Sequence, residues 1–240
     1  MSNKISFNYS PNFDSQKRKS KNIKFIIIHY TGMKNDKESI RKLTDEKSSV
    51  SCHYFIDRKG KTTLMVPDLY VAWHAGKSRW KKYRSLNRYS IGIELSNLGH
   101  DYGYKKFSNK QLKSLSRILK YLIKKYEINL ENILGHSDIA PYRKKDPGEK
   151  FPWRDMSKKK LCLWHTLKSD YLRKFRNKKI NAIQQKLFLK NLSKIGYETS
   201  NLNKQKKHII NAFQRRFRPE LISPFIDEEI YLISKNLISQ

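Results

Sequence analysis

The segment Ile23-Lys-Phe-Ile-Ile-Ile-His29 restricts the possible folds more than any other part of this chain. It is short, rich in β-branched residues and almost unbroken in its apolarity, which is the pattern of a strand buried on both faces. It runs into Tyr30-Thr31-Gly32, a turn. Further on, His53 to Asp57 and Lys61 to Val66 flank Arg58-Lys59-Gly60 and predict a β-hairpin whose glycine supplies a positive φ. Ser90 to Leu95 predicts another strand. The clearest helix runs from about Asn109 to Tyr126, where Leu112, Leu115, Ile118, Leu119, Leu122 and Ile123 recur at spacings of three and four, and Ser108 with Gln111 forms a capping box. Strands interleaved with helices predict an α/β sheet covered by helices, at least through Trp153.

Beyond Lys158-Lys159-Lys160 the character changes. A helical run is expected near Leu161 to Phe175. Ile180, Ile183, Leu187 and Phe188 then mark one amphipathic helix, Ile209, Ile210, Phe213 and Phe217 a second, and Ile230, Leu232 and Ile233 a third. The expected division is an N-terminal extension over 1–22, an α/β domain over 23–169 and a small all-helical module over 170–240. Cys52 and Cys162 are too few for a disulfide framework and read as small buried hydrophobes. The longest apolar run, Phe25 to Ile28, is far below the roughly 20 residues a membrane-spanning helix needs. No secretory signal is visible near the N-terminus, so the expectation is a cytoplasmic protein, with the cell envelope as the alternative.

Chemistry concentrates in Gly135-His-Ser-Asp-Ile-Ala-Pro-Tyr-Arg-Lys-Lys-Asp-Pro-Gly148. This loop follows an apolar strand end, and its two prolines restrict its path, so His136 and Asp146 can be aimed into one pocket. His29, at the end of the first buried strand, is the candidate third ligand, because strand ends in α/β sheets project side chains toward a ligand crevice. Two histidines and a carboxylate would leave a fourth zinc position open, the arrangement of a catalytic site; for each histidine taken alone, a hydrogen-bonded core position is the alternative.

Five blocks, Ile27-Ile-His-Tyr-Thr31, Val50-Ser-Cys-His-Tyr54, Ala72-Trp-His-Ala-Gly76, Ser90-Ile-Gly-Ile-Glu94 and the loop from Gly135 to Gly148, occur in order over roughly Ile23 to Trp153. Together they resemble the zinc-dependent N-acetylmuramoyl-L-alanine amidases of the amidase-2 type, which are related to the peptidoglycan recognition proteins and to phage T7 lysozyme. The resemblance implies a mixed β-sheet flanked by helices, with a zinc cleft at one edge. It implies one catalytic zinc held by His29, His136 and Asp146, with Glu94 and Lys144 as the catalytic pair. Glu94 would take a proton from the attacking water, and Lys144 would stabilise the negative oxygen of the tetrahedral intermediate. Trp73 and His74 are candidate substrate-binding residues, Trp73 offering an aromatic face to a sugar; core burial of His74 is the alternative. His53 reads as a support behind the cleft, and His100, His165 and His208 fit no motif.

The tail carries a fainter likeness. Ile183-Gln-Gln-Lys-Leu187, Ile195-Gly-Tyr197 and Ala212-Phe-Gln-Arg-Arg-Phe217 resemble the three-helix peptidoglycan-binding domain of cell-wall hydrolases, although Ser223-Pro-Phe-Ile-Asp227 replaces the usual aspartate-glycine step. The implied function is hydrolysis of the amide between N-acetylmuramic acid, or its 1,6-anhydro form, and the L-alanine of the stem peptide. A non-catalytic peptidoglycan receptor is the rival. The expected partner is therefore peptidoglycan or a muropeptide. A net charge of +31, from 52 Lys and Arg against 21 Asp and Glu, raises nucleic acid as another partner. No helix-turn-helix, RNP-like strand or zinc-finger spacing supports specific binding of that kind, and any chain this basic binds polyanions nonspecifically.

Overall fold

The computed structural model describes residues 5–200 and 202–240. The strands are β1 (Ser6–Phe7), β2 (Phe13–Asp14), β3 (Phe25–Tyr30), β4 (Tyr54–Ile56), β5 (Thr62–Leu64), β6 (Val71–Ala72), β7 (Arg79–Trp80), β8 (Tyr83–Arg84), β9 (Ser90–Leu95) and β10 (Ile133–Gly135). The helices are α1 (Asp36–Thr44), α2 (Asn109–Tyr126), α3 (His136–Ile139), α4 (Trp153–Lys158), α5 (Ser169–Arg173), α6 (Ala182–Ile195), α7 (Leu202–Phe217) and α8 (Glu228–Ile238).

Six strands form one mixed sheet in the order β1-β5-β4-β9-β3-β10. Only the β4–β5 hairpin is antiparallel; β3 lies between β9 and β10 with parallel neighbours on both sides. The hairpin is the one expected, with Gly60 at φ +83° where an added Cβ would lie 2.6 Å from the Lys110 carbonyl oxygen. The N-terminal segment contributes the edge strand β1, paired in parallel with β5.

Strand alternation divides β3 and β9 between two cores. Ile26, Ile28, Ile91, Ile93 and Leu95 face α2, whose Leu115, Ile118, Leu119 and Leu122 cover that side of the sheet. Phe25, Ile27 and Leu134 face the other way and share a core with Phe188, Leu192, Ile209, Phe213, Ile230 and Ile233 from α6, α7 and α8. The C-terminal helices thus cover part of the sheet's second face. Along that face β3 ends in His29, whose register partner on β9 is Glu94.

Two expectations are corrected. Leu161 to Lys168 is not helical; a helix precedes it (α4) and a single short one follows (α5). In α6 the buried positions are Phe188, Asn191 and Leu192, whereas Ile183 and Leu187 are exposed and Ile180 precedes the cap Asn181. Cys52 and Cys162 are free thiols in the core, as expected. Among the described residues no helix is long and apolar enough to cross a membrane.

Candidate metal centre and active-site cleft

His29 lies one residue before the carboxyl end of β3, and its in-register neighbour Glu94 on β9 points from the same face because partners across parallel strands share a side. β10 ends beside β3, and the chain turns at once into α3, which begins with His136. The loop from Ala140 returns Asp146 to this point, where its carbonyl accepts a hydrogen bond from the Ser137 N–H at 2.8 Å. Three residues far apart in sequence therefore meet at one end of the sheet.

His29 Nδ1 lies 2.9 Å from His136 Nδ1 and 3.0 Å from Asp146 Oδ2, and His136 Nδ1 lies 3.1 Å from the same oxygen. All three residues are buried. These are the atoms among the described residues that could hold a metal ion. Tetrahedral zinc with bonds of roughly 2.0–2.2 Å separates its ligand atoms by about 3.3 Å or a little more, close to this triangle. The donor chemistry fits as well. His136 Nε2 donates to the Ala75 carbonyl at 3.1 Å, so its Nδ1 carries a lone pair. Burial, followed by the neighbouring His136, lowers His29 to about 4, which keeps it neutral at pH 7. For Asp146 burial acts to raise the pKa, but the neighbouring His136 and His29 hold it well below the usual carboxylate range. Two imidazole nitrogens and an ionised carboxylate, converging within about 3 Å, form a donor set that a divalent cation would satisfy.

The triangle opens into a cleft of about 430 Å³, within the range of small-molecule sites, bordered by Trp73, Glu94, Arg143, Lys144 and Lys145. Glu94 Oε2 is buried with no hydrogen-bond partner, an acceptor left free in the cleft that His29, His136 and Asp146 also line. Burial, with the Asp146 charge adding to it, pushes Glu94 up to about 8, while Lys144 and Lys42 act in the opposite direction. Lys144 lines the same cleft, its backbone N–H bonded to the Ala140 carbonyl.

Trp73 forms part of the wall, with its indole N–H donating to Asp14 Oδ1 at 2.8 Å. His74 lies deeper, 9% exposed, one ring nitrogen against His29 and the other against Ser90. His53 is fully buried; its Nδ1 accepts from the Gly92 N–H and its Nε2 faces the Tyr70 carbonyl. At the cleft mouth Tyr30 Oη donates to His100 Nδ1 at 2.7 Å, and His100 Nε2 donates to Glu149 at 3.1 Å. Sequence reasoning missed His100, Asn87 and Ser90, since each acts through a tertiary hydrogen bond that leaves no periodic pattern.

Known proteins resemble this chain over most of its length. The profile of the family described as N-acetylmuramoyl-L-alanine amidase (Amidase_2) matches residues 19–149. The chain is 32% identical over 232 residues to N-acetylmuramoyl-L-alanine amidase AmiD of Escherichia coli strain K12, covering 91% of this chain and 83% of that protein. The solved complex of E. coli AmiD with anhydro-N-acetylmuramic acid-L-Ala-D-gamma-Glu-L-Lys superposes with a TM-score of 0.80 at 30% identity, covering 94% of this chain and 91% of that one. AmpDh3 from Pseudomonas aeruginosa, solved with an anhydromuramic pentapeptide, gives a TM-score of 0.79 at 25% identity and 98% coverage of both chains.

Proposed function

The chain belongs to the N-acetylmuramoyl-L-alanine amidase (Amidase_2) family, and from that premise we propose a zinc hydrolase that separates N-acetylmuramic acid from the L-alanine of the stem peptide, with His29, His136 and Asp146 as the zinc ligands. The observation that carries this assignment is the convergence of the three ligand atoms in the cleft that also holds the partnerless oxygen of Glu94. A zinc ion held by these three residues would supply Lewis-acid polarisation of the scissile carbonyl and would acidify the attacking water.

The chain's own residues supply the remaining steps. In its ionised form, which a cation held by the neighbouring residues would favour, Glu94 Oε2 accepts a proton from the attacking water and returns it to the L-alanine nitrogen as the C–N bond breaks, leaving a muramic carboxylate and a free amine. Lys144 offsets the negative charge of the tetrahedral intermediate's oxygen. Lys42, Arg143 and Lys145 on the cleft wall complement the stem-peptide carboxylates, and Trp73 offers its ring to the sugar. The relatives solved with anhydro-muropeptides support an anhydro-muropeptide as a substrate.

Incubation with an anhydro-N-acetylmuramyl tripeptide, followed by mass spectrometry, should give anhydro-muramic acid and free tripeptide. Chelation should stop the reaction and added zinc should restore it. A zinc-loaded protein that binds this compound and yields neither product would instead be a receptor. Lys144→Met should lower kcat by about 10²–10³, the usual effect of removing one stabiliser of a developing oxyanion. Steady-state kinetics with unchanged zinc content would check this, and an unaltered kcat would remove Lys144 from the mechanism.

A further inference from the structure

We infer that His74 is a positioning residue which, together with the Ala75 carbonyl, dictates the protonated nitrogen of each histidine ligand so that both Nδ1 lone pairs face Asp146. This rests on the reading of His29, His136 and Asp146 as metal ligands.

The hydrogen bonds order themselves from the outside inward. The single hydrogen of the Ser90 hydroxyl goes to the Leu86 carbonyl at 2.7 Å, so toward His74 Nε2, 3.1 Å away, Ser90 Oγ can only accept. His74 therefore carries its proton on Nε2 and offers a lone pair at Nδ1. His29 Nε2, 3.0 Å from that atom, must donate, which leaves His29 Nδ1 unprotonated and facing Asp146.

The next residue does the same for His136. Its Nε2 faces the Ala75 carbonyl at 3.1 Å. The competing donor, Arg143 Nη2 at 3.2 Å, has two hydrogens, and both have acceptors in the Ala75 carbonyl at 2.7 Å and the Lys77 carbonyl at 3.0 Å. Consecutive residues of one loop thus orient both imidazoles.

The loop itself is held. Asn87 Oδ1 accepts from the backbone N–H groups of His74 at 3.1 Å and Ala75 at 2.6 Å, and Ser51 Oγ accepts from that of Trp73 at 2.8 Å. Gly92 leaves the room that the His74 ring fills: a Cβ there would lie 2.4 Å from His74 Cγ. Fixing the tautomer in this way prevents the proton from occupying the coordinating nitrogen and raises that nitrogen's basicity.

Two measurements test the inference. Long-range ¹H–¹⁵N correlation of the zinc-loaded wild-type protein should show His29, His74 and His136 all protonated at Nε2; His74 protonated at Nδ1 would overturn it. His74→Phe keeps a ring but removes the acceptor, and should weaken zinc affinity by about 10–100-fold in competition with a chromophoric chelator. His74→Asn, whose Oδ1 can take the place of Nδ1, should recover most of that loss. An unchanged zinc Kd in a folded His74→Phe protein would also overturn the inference, and the correlation experiment decides the matter if this variant does not fold. A wild-type protein that binds no zinc, or a His29→Ala variant with undiminished affinity, would instead defeat the ligand assignment beneath it.

Discussion

Glu94→Gln should keep its zinc and lose at least about 10²-fold in kcat, the lower end of what a positioned proton-transfer group contributes. The substitution preserves shape and hydrogen-bond count, because the carboxylate oxygen facing the cleft has no partner to lose. It also removes a charge that burial and Asp146 both disfavour, so thermal stability of the zinc-free protein should hold or rise. His136→Ala is the necessary contrast. It deletes a ligand atom and should lose both zinc and turnover, whereas Glu94→Gln should separate the two. Zinc stoichiometry by elemental analysis beside kcat decides the matter, and a fully active Glu94→Gln protein would refute its role as the base.

The part of this site readable in the sequence is the part that strand geometry dictates. In β3 and β9 every second residue shares a face, so with Ile91, Ile93 and Leu95 committed to the α2 side, Glu94 had to emerge on the other. The helix α2 was equally legible, since its cap at Ser108 and its apolar stripe agree. The stretch from Leu161 to Lys168 misled because spaced apolar residues without a cap fit an irregular chain lying on a core as well as they fit a helix. Ile183 misled for a related reason. It follows the period of α6, yet that helix presents Phe188 and Leu192 inward and leaves Ile183 72% exposed. A single-helix pattern does not say how much of the stripe a neighbour covers.

What no local pattern could show is the dependence of the His136 turn on the C-terminal helices. Asp138, two residues beyond His136 in α3, is 1% exposed. Its Oδ2 accepts from the Gly135 N–H at 2.8 Å and from Arg216 Nη1 at 2.7 Å, and its Oδ1 accepts from the Tyr197 hydroxyl at 2.7 Å. Arg216 also donates to the Ile133 carbonyl at 2.9 Å and lies over the Trp153 ring, 4.3 Å from its centroid. Two of the three donors to Asp138 thus come from beyond residue 170, as does its only counter-charge within hydrogen-bond reach among the described residues.

Arg216→Met should therefore destabilise the protein by about 3–5 kcal/mol, the cost of stranding a buried charge, although methionine fills much of the vacated volume. The effect should extend to the metal, since the turn held through Asp138 carries His136, and zinc affinity should fall with stability. Adding Asp138→Asn should recover a large part of both, because the amide oxygen can still accept from the Gly135 N–H while its nitrogen donates to the Tyr197 hydroxyl, and no charge remains to be compensated. Urea denaturation of the two single variants and the double variant supplies the coupling energy. Strictly additive losses would mean that Arg216 acts through its packing on Trp153 and Phe217 rather than through Asp138. Strong coupling would make the C-terminal helices a structural part of the metal centre.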